Sequence, residues 1–238
     1  MPLSREVERP KSDHGLRRQR IVQSILSDVF AGRLRAGRHL VTQELAERFR
    51  VSHTPIREAL IALAGIGIID LLPNRGAVVR RVTAKDVREV CQVRRLLECA
   101  AARNACGQVD LAELNAIAEE LRKLQSVKTP SAARFIGKAR VLDSRLHDLI
   151  AGSCGNAFLA NELSRLKMLF RAFRDVSYTR DEARNDFRRL AAEAHEHLAI
   201  VDALLAGDRR DAARAMSRHI RSGARYWSRT LPYANGDQ

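Results

Sequence analysis

The side chains of this sequence that most directly suggest chemistry are an aspartate and a histidine four residues apart, Asp143 and His147 in the stretch VLDSRLHDLI. The apolar residues around them recur at helical spacing. Positions i and i+4 of a helix are neighbours, with Cβ atoms about 5–6 Å apart, so both side chains can reach one metal ion. Taken alone, the pair is most simply a surface pair that stabilises the helix by about 0.2–0.5 kcal/mol.

Two later histidines favour the metal interpretation. If the last two helices fold back at Gly207, His197 lies ten residues before the turn and His219 twelve after it. A helix rises about 1.5 Å per residue, so the two histidines stand at nearly equal heights. His195 stands at a similar height, but His197 has the more apolar helical face. An inward histidine is more often a core residue than a ligand. Three histidines and an aspartate that converge in one bundle are nevertheless harder to explain as core residues alone. Such a set of ligands suits a divalent ion, zinc first, with nickel, manganese or iron as alternatives.

The composition excludes several classes of protein. The 238 residues carry a formal net charge of +14 and are 45% hydrophobic and 5% aromatic, which suits a helical chain of one or two domains. Residues 1–20 are charged throughout, and no apolar run approaches the roughly 20 residues that span a bilayer. The four cysteines have no CxxC spacing, so a thiolate zinc site is not predicted. We expect a cytoplasmic protein with no membrane partner.

Helices must position the candidate ligands. Thr83 can cap a helix with Asp86 three residues on. From there the apolar spacing predicts about six helices, broken at Gly107, at residues 126–131 and 152–155, and at Gly207, with residues 177–186 left ambiguous. The predicted organisation is a flexible tail at 1–15, a first domain at 16–81, an all-helical domain at 82–232 and a C-terminal tail at 233–238.

The first domain contains a helix-turn-helix pattern. TQELAERF and TPIREALIALAGIG have helical spacing, RVSH lies between them, and Thr42 can cap the first helix. The apolar residues expected to form the shared core are Leu45, Ala46, Phe49, Ile56, Ala59, Leu60 and Leu63. This packing leaves polar residues on the turn and on the exposed helix starts, namely Gln43, Ser52, His53, Thr54 and Arg57.

These polar residues suit DNA. Side chains at a helix N-terminus can enter the major groove and reach base edges and phosphates. Two apolar runs flank Pro73-Asn74-Arg75-Gly76, a hairpin signature whose tip, Asn74, Arg75 and Gly76, would form a wing. Residues 1–81 carry 15 basic and 8 acidic residues, as expected of a unit that binds a polyanion. The alternatives are a simple αα-hairpin and an ordinary solvated basic surface.

The stretch GRLRAGRHLVTQELAERFRVSHTPIREAL, followed by LPNRGAVV, resembles the winged helix of the GntR family of bacterial transcription regulators. The resemblance covers residues 17–81 and implies that the polar residues named above contact DNA. Two departures from the family pattern stand out. His53 replaces the usual arginine, which alters the expected base preference or pH dependence. GIGIID replaces the usual glutamate-glycine-leucine run, which should affect packing.

The remainder resembles the FCD subfamily, which has a FadR-like C-terminal effector domain. The matching motifs are VRRLLE (93–98), DSRLH (143–147), GN (155–156), EHLAIVDALLAGD (196–208) and RHI (218–220). The resemblance implies a mainly α fold, in which an all-α antiparallel bundle follows the winged helix-turn-helix. It also implies a homodimer whose DNA binding is altered by a small organic acid. The metal-binding positions that it implies are Asp143, His147, His197 and His219.

Two further residues can contact the effector. Arg94 can bind its carboxylate, or alternatively pair with Glu98 four residues on. Asn156 can line the pocket, or alternatively cap the next helix.

We therefore expect an effector-responsive regulator, a repressor that binds a double-stranded DNA operator and is not an enzyme. A metal sensor, in which the ion is itself the signal, is the first alternative. The second is a metal-dependent hydrolase fused to a DNA-binding head. No HExxH pattern supports a hydrolase, and Glu196 is expected to point away from the neighbouring His197.

Overall fold

A computed structural model describes residues 13–73, 75–126, 132–183 and 187–230 of the chain. Their contacts divide the chain into two units, with the boundary between Arg81 and Val82. The N-terminal unit contains α1 (Asp13–Phe30), α2 (Thr42–Phe49) and α3 (His53–Gly65), and α1 packs against α3. Six of the seven predicted core residues of the helix-turn-helix are buried, and Phe49 is half-buried.

A three-stranded antiparallel sheet completes the N-terminal unit. β2 (Ile69–Leu72) and β3 (Gly76–Val79) form the predicted hairpin. β1 (His39–Leu40), which the sequence pattern did not predict, pairs with the other edge of β3. Gly76 has a φ of 89°, and a Cβ there would lie 2.1 Å from the carbonyl oxygen of Leu40. Glycine is therefore required where β1 meets the start of the wing.

The helix starts test the predicted caps. Thr83 and Asp86 form the predicted capping box at the start of α4 (Ala84–Ala105). The backbone N–H of Thr83 donates to Asp86 Oδ2 at 2.7 Å, and the N–H of Asp86 donates to Thr83 Oγ1 at 3.2 Å. The prediction for Thr42 is wrong, because Thr42 is the first helical residue of α2 and Val41 occupies the N-cap position without a side-chain bond.

The C-terminal unit is a helical bundle. It contains α4, α5 (Leu111–Ser126), α6 (Ala132–Gly152), α7 (Ala157–Ala183), α8 (Arg188–Leu205) and α9 (Arg209–Thr230). α9 packs along α4 and α8, and α6 packs against α4, α5, α7 and α8. Gly207 makes the turn between α8 and α9 with a φ of 67°. The mainly α fold, with a winged helix-turn-helix and a helical bundle, is as predicted.

α7 extends beyond its predicted end. The sequence pattern predicted a helix to about Val176 and left the polar segment after it unassigned, whereas the helix continues to Ala183. Ser177, Tyr178 and Asp181 are buried in this extension. The Tyr178 hydroxyl donates to Glu193 Oε2 at 2.6 Å. The segment has the polar composition of a loop, but its polar side chains form hydrogen bonds inside the bundle.

The other sequence-based exclusions can be compared with the fold. Cys91, Cys106 and Cys154 are buried and Cys99 is half-buried, all with free thiols. Burial raises the pKa of the Cys91 thiol to about 11. Within the described ranges, every helix is too short or too polar to cross a membrane.

Candidate metal centre and nucleic-acid interface

Three helices of the bundle bring the four predicted ligands together. Asp143 and His147 lie on α6, His197 on α8 and His219 on α9, and one potential ligand atom from each lies within 4.8 Å of all the others. The ring centroids of His197 and His219 are 4.4 Å apart, and that of His147 is 5.6 and 5.3 Å from them. The turn at Gly207 therefore aligns the two late histidines as their spacing predicted.

Asp143 divides its two oxygens between the cluster and a cation. Oδ1 lies 3.8 Å from His147 Nε2 and 3.6 Å from His197 Nε2. Oδ2 accepts a short hydrogen bond from Arg174 Nη1. Burial on its own would raise the pKa of Asp143, but Arg174, His147 and His197 hold that pKa well below its usual range. The carboxylate is therefore ionised, with one oxygen facing the histidines.

Two glutamate carboxylates contact the Nδ1 atoms of His147 and His219 and thereby fix the orientation of these rings. His147 Nδ1 contacts Glu98 Oε2, and His219 Nδ1 lies 3.0 Å from Glu196 Oε2. An ionised carboxylate can only accept, so each Nδ1 must carry a proton, and the tautomer with its proton at Nδ1 has a lone pair at Nε2. Burial raises the pKa of both glutamates, but His147 and Arg94 at Glu98, and His219 and Arg189 at Glu196, lower each pKa to about 2.

His197 is the group that most needs a partner. Its Nε2 is buried and finds no hydrogen-bond partner in the part of the chain that the structure describes. Burial and the neighbouring His219 lower the pKa of His197 well below its usual value, against the opposing effect of Asp143. A neutral imidazole with an unused buried nitrogen beside an ionised carboxylate suits a cation, because an unsatisfied buried polar group is costly.

A cavity of about 210 Å³ opens beside the cluster and is lined by Asp143, His147 and several cations. The predicted effector residue Arg94 lines it and is buried. Its Nε donates to Glu98 Oε1 at 2.6 Å, and its guanidinium carbon lies 4.7 Å from the Phe170 ring centroid and 5.5 Å from that of Trp227. Both sequence-based interpretations of Arg94, the glutamate pair and the pocket position, are therefore compatible.

Two other predicted or alternative residues lie away from this cavity. Asn156 caps α7, with its Oδ1 accepting the Leu159 N–H at 3.0 Å, and it is not among the residues that line the cavity. Its position supports the capping interpretation rather than effector contact. His195 is exposed, so it is His197 that joins the cluster.

Sequence reasoning missed the residues behind the ligands. Glu98 and Arg174 reach the cluster from α4 and α7, where local spacing relates them to no ligand. Glu196 was expected to point away from His197, and its carboxylate contacts His219 on the adjacent helix. Two consecutive residues of α8 therefore supply a candidate ligand, His197, and the carboxylate that contacts a second one, His219. The position of Glu196 next to His197 in the sequence was a signal for this glutamate, whereas Glu98 and Arg174 had none.

Five of the eight predicted DNA-contacting residues lie on one concave surface of the N-terminal unit. Ser52, His53, Thr54 and Arg57 at the start of α3 are exposed, as are Gln43 and Arg75. Gln43, His53, Arg57 and Arg75 line the same concave surface, which α3 and the hairpin enclose. Asn74 lies outside the described residues. Gly76 also lines this surface, and its steric role at β1 accounts for its presence.

A chain of hydrogen bonds holds the unusual histidine of this surface. His53 Nε2 lies 2.7 Å from Gln43 Oε1, and Gln43 Nε2 donates to Glu47 Oε1 at 2.7 Å. Because an amide oxygen can only accept, the Nε2–H of His53 is the donor. A hydrogen bond therefore holds His53 and Gln43 together on the surface that is predicted to contact DNA.

Family models match both units. The model described as bacterial regulatory proteins, gntR family, matches residues 17–79, and the model of the FCD domain matches residues 89–222. Two curated relatives align over most of their length. The HTH-type transcriptional repressor RspR of Escherichia coli K12 is 26% identical over 85% of both chains. A probable D-xylose utilization operon transcriptional repressor of Paenarthrobacter nicotinovorans is 29% identical over 82% of both.

The solved structure of E. coli McbR/YncC has the same fold. It superposes with a TM-score of 0.67 and 21% sequence identity, over 92% of this chain and 98% of that one. The helical bundle and the winged unit therefore occur in the same order in both proteins.

Proposed function

The chain belongs to the GntR family of bacterial transcription regulators and carries an FCD domain, and from this premise we propose that its helical unit binds a divalent metal ion and a small organic carboxylate. The observation that carries the proposal is the cluster of three imidazoles and one carboxylate, in which His197 and His219 are buried and Asp143 and His147 are half-buried. His197 Nε2 has no partner of its own among the described residues. A cation is the ligand that satisfies all four groups at once.

Zinc is the preferred ion, with nickel, manganese and iron as alternatives, because three imidazoles and one carboxylate suit all of them. Asp143 Oδ1 and the Nε2 atoms of His147, His197 and His219 are the groups that would hold it. Glu98 and Glu196 orient two of the rings, and such supporting carboxylates raise the basicity of a ligating imidazole. The bound ion would supply a positive charge to which an organic carboxylate can bind.

Arg94 is the protein's own recognition group for that carboxylate. It is buried, stacked against Phe170 and Trp227, and held at its Nε by Glu98. This leaves its outer nitrogens as donors, one of which lies 3.4 Å from His147 Nε2. A carboxylate in the cavity can therefore contact Arg94 next to the metal ligands. Arginine suits this role because its planar fork matches a carboxylate.

The winged unit binds a double-stranded operator in this proposal. Ser52, His53, Thr54 and Arg57 reach the major groove from the start of α3, and Arg75 contacts the backbone or the minor groove from the wing. A homodimer would read two half-sites, because symmetric operators mirror the two-fold symmetry of their proteins. Two curated relatives are named as repressors, which supports the same sign of regulation here.

The carboxylate regulates operator binding in this proposal by favouring one arrangement of the dimer over another. A ligand can shift such an equilibrium only by as much as its affinity differs between the two states. In the metal-sensor alternative, the ion is itself the signal, and removal of the ion alone would alter operator binding.

Metal titration tests the first half of the proposal. Protein stripped with a chelator and titrated with zinc in a calorimeter should bind one ion per chain. A cobalt-substituted sample should show the visible absorption of a nitrogen-rich tetrahedral site. The proposal fails if no stoichiometric binding occurs, or if binding is unchanged when His197 and His219 are both replaced by alanine.

Operator binding tests the second half. DNA from upstream of the protein's own gene should be shifted by the protein at low salt, with two chains per operator. A thermal-shift screen of small carboxylic acids, run with zinc and with chelator, should find stabilising acids only in the zinc series. The absence of DNA binding at low salt would contradict the assignment of the winged unit.

A further inference from the structure

A row of cations on α7 faces the cavity beside the candidate metal centre. Lys167, Arg171 and Arg174 lie at helical positions i, i+4 and i+7, and all three line the cavity together with Phe170. Residues at this spacing share one face of a helix. Arg94 on α4 adds a fourth cation to the lining. The cavity therefore offers more positive groups than one carboxylate can use.

The α7 cations pair with two aspartates of α6 in separate places. Arg174 contacts Asp143, and its side chain is 6% exposed. Lys167 and Arg171 share Asp148, and their side chains are 31% and 36% exposed. The Arg174 pair thus lies deep in the cavity, next to the cluster, whereas Lys167 and Arg171 form a second cationic position at the cavity mouth.

The mouth already binds a carboxylate, because Asp148 occupies it. Lys167 Nζ donates to Asp148, and Arg171 Nη2 lies 3.6 Å from Asp148 Oδ2. The Asp148 side chain is 46% exposed and can rotate away from the mouth into solvent. Arg171 Nε is buried and has no hydrogen-bond partner within the described residues. Arg171 therefore keeps an N–H donor that no described group accepts, in addition to the Nη2 that contacts Asp148.

The charge balance of the lining favours an anionic ligand. Arg94, Lys167, Arg171 and Arg174 face three acidic residues, Glu98, Asp143 and Asp148. A divalent ion at the cluster would raise the positive excess from one to three. A single carboxylate with Asp148 in place, and a dicarboxylate that displaces Asp148 into solvent, would each leave an excess of two. The choice between these ligands therefore depends on whether a ligand carboxylate can take the place of Asp148 beside Lys167 and Arg171.

On the basis of the proposed metal and carboxylate function, we propose that the effector is a short dicarboxylate whose second carboxylate binds Lys167 and Arg171 in place of Asp148. The first carboxylate lies at the metal ligands and Arg94. Ala151, Ala160 and Leu163 provide an apolar wall for the carbon chain between the two ends. The cavity of about 210 Å³ limits that chain to a few carbon atoms.

Paired ligands of equal length test this proposal. Zinc-loaded protein, freed of excess ion, is titrated in a calorimeter with succinate and with butyrate, which differ in one carboxylate. Succinate should bind about tenfold more tightly, since charge-assisted hydrogen bonds at the mouth are partly offset by the displacement of Asp148. The double variant Lys167→Met, Arg171→Gln should lose this preference and retain the wild-type affinity for butyrate.

Two single variants sharpen the result. Lys138→Met is the matched control, because Lys138 is also a half-exposed lysine on a helix, paired with Glu120 at 3.9 Å, and it should keep the succinate preference. Asp148→Asn removes the competing carboxylate and should tighten succinate binding without changing butyrate binding. Succinate affinity that is unchanged or weaker in this variant contradicts the proposal.

The outcomes separate this inference from the function on which it rests. If butyrate binds and succinate binds no more tightly, the second carboxylate position is wrong and the metal-dependent carboxylate site stands. If succinate is preferred but the double variant keeps the preference, the mouth is the wrong location. If neither acid binds the zinc-loaded protein, the proposed effector function fails together with the inference.

Discussion

The two units of this protein present their candidate functional residues in opposite ways. In the winged unit, His53, Thr54 and Arg57 are exposed and face solvent on one surface. In the helical unit, Arg94, His197 and His219 are buried and lie within a network of charged neighbours. A DNA-reading surface must stay solvated until it meets a large polyanion, whereas a metal site must exclude water and hold its ligands in advance.

This difference predicts that the two activities can be separated by mutation. Substitutions on the exposed surface should change operator affinity without altering metal binding. Substitutions in the buried cluster should do the reverse, as long as the helical bundle remains folded.

The largest expected effect is the loss of metal affinity in His147→Ala. Removing one of four ligands should weaken zinc binding by at least about 100-fold, since a four-ligand site yields on the order of 10 kcal/mol in total. Operator affinity should stay within about twofold of the wild type. Calorimetry with zinc and a gel shift on the same preparation measure both quantities, and His195→Ala, an exposed histidine, is the control. Loss of operator binding in a folded His147→Ala protein would contradict the prediction that the two activities can be separated by mutation.

Arg57→Ala should have the opposite effect to His147→Ala on metal affinity and operator affinity. An arginine at the start of a recognition helix contributes about 1–3 kcal/mol through a base or phosphate, so operator affinity should fall about 10–100-fold. Zinc affinity should not change. Arg103→Ala, an exposed arginine of α4, controls for the loss of a positive charge. Equal losses of operator affinity in the two variants would show that Arg57 contributes only its positive charge and makes no specific contact with DNA.

Glu196→Gln should have a smaller effect on the metal site than the loss of a ligand. The variant keeps the shape of the side chain but removes the charge that orients His219. Replacement of such a supporting group weakens metal affinity by about 10–100-fold in general, and we expect the lower end. Glu162→Gln, on an exposed part of α7, is the matched control. An unchanged zinc affinity in Glu196→Gln would mean that His219 needs no support.

The smallest effect is a pH dependence of the chelated protein. Burial and His219 lower the pKa of His197 well below its usual value of 6.5. Below about pH 6.5 the unfolded chain therefore binds a proton that the folded chain does not, so the free energy of unfolding falls with decreasing pH. The slope from this one group is up to about 1.4 kcal/mol per pH unit.

Trp227, the single tryptophan and a buried residue of α9, reports unfolding of the helical unit. Urea titrations of chelated protein between about pH 7 and pH 5 should give a flatter slope for His197→Gln than for the wild type. His195→Gln should retain the wild-type slope. A His197→Gln protein with the wild-type slope would show that His197 titrates normally in the absence of metal.

The sequence predicted features whose signals are local. The capping box of Thr83 and Asp86, the turn at Gly207 and the hairpin around Gly76 each depend on a few neighbouring residues. The four cluster residues could also be predicted, in part from helical spacing and from the heights of two histidines on either side of a turn, and as a full set from the resemblance to the FCD subfamily.

Features that depend on contacts distant in sequence were missed. β1 is two residues long and exists only because β3 offers it an edge. Glu98 reaches His147 across 49 positions of the chain, and Arg174 reaches Asp143 across 31. Neither interaction has a periodic signal, so the supporting charges of the candidate site required the folded structure.

The most direct test of the account measures operator affinity by fluorescence anisotropy in four conditions: zinc-loaded or chelated protein, each with or without a panel of short carboxylates. A metal-dependent effector site should give equal operator affinity with and without zinc, and a change on addition of a carboxylate only when zinc is present. An equal response of the chelated protein to the carboxylates would contradict the proposed metal-dependent effector site. A change caused by zinc alone would make the ion itself the signal.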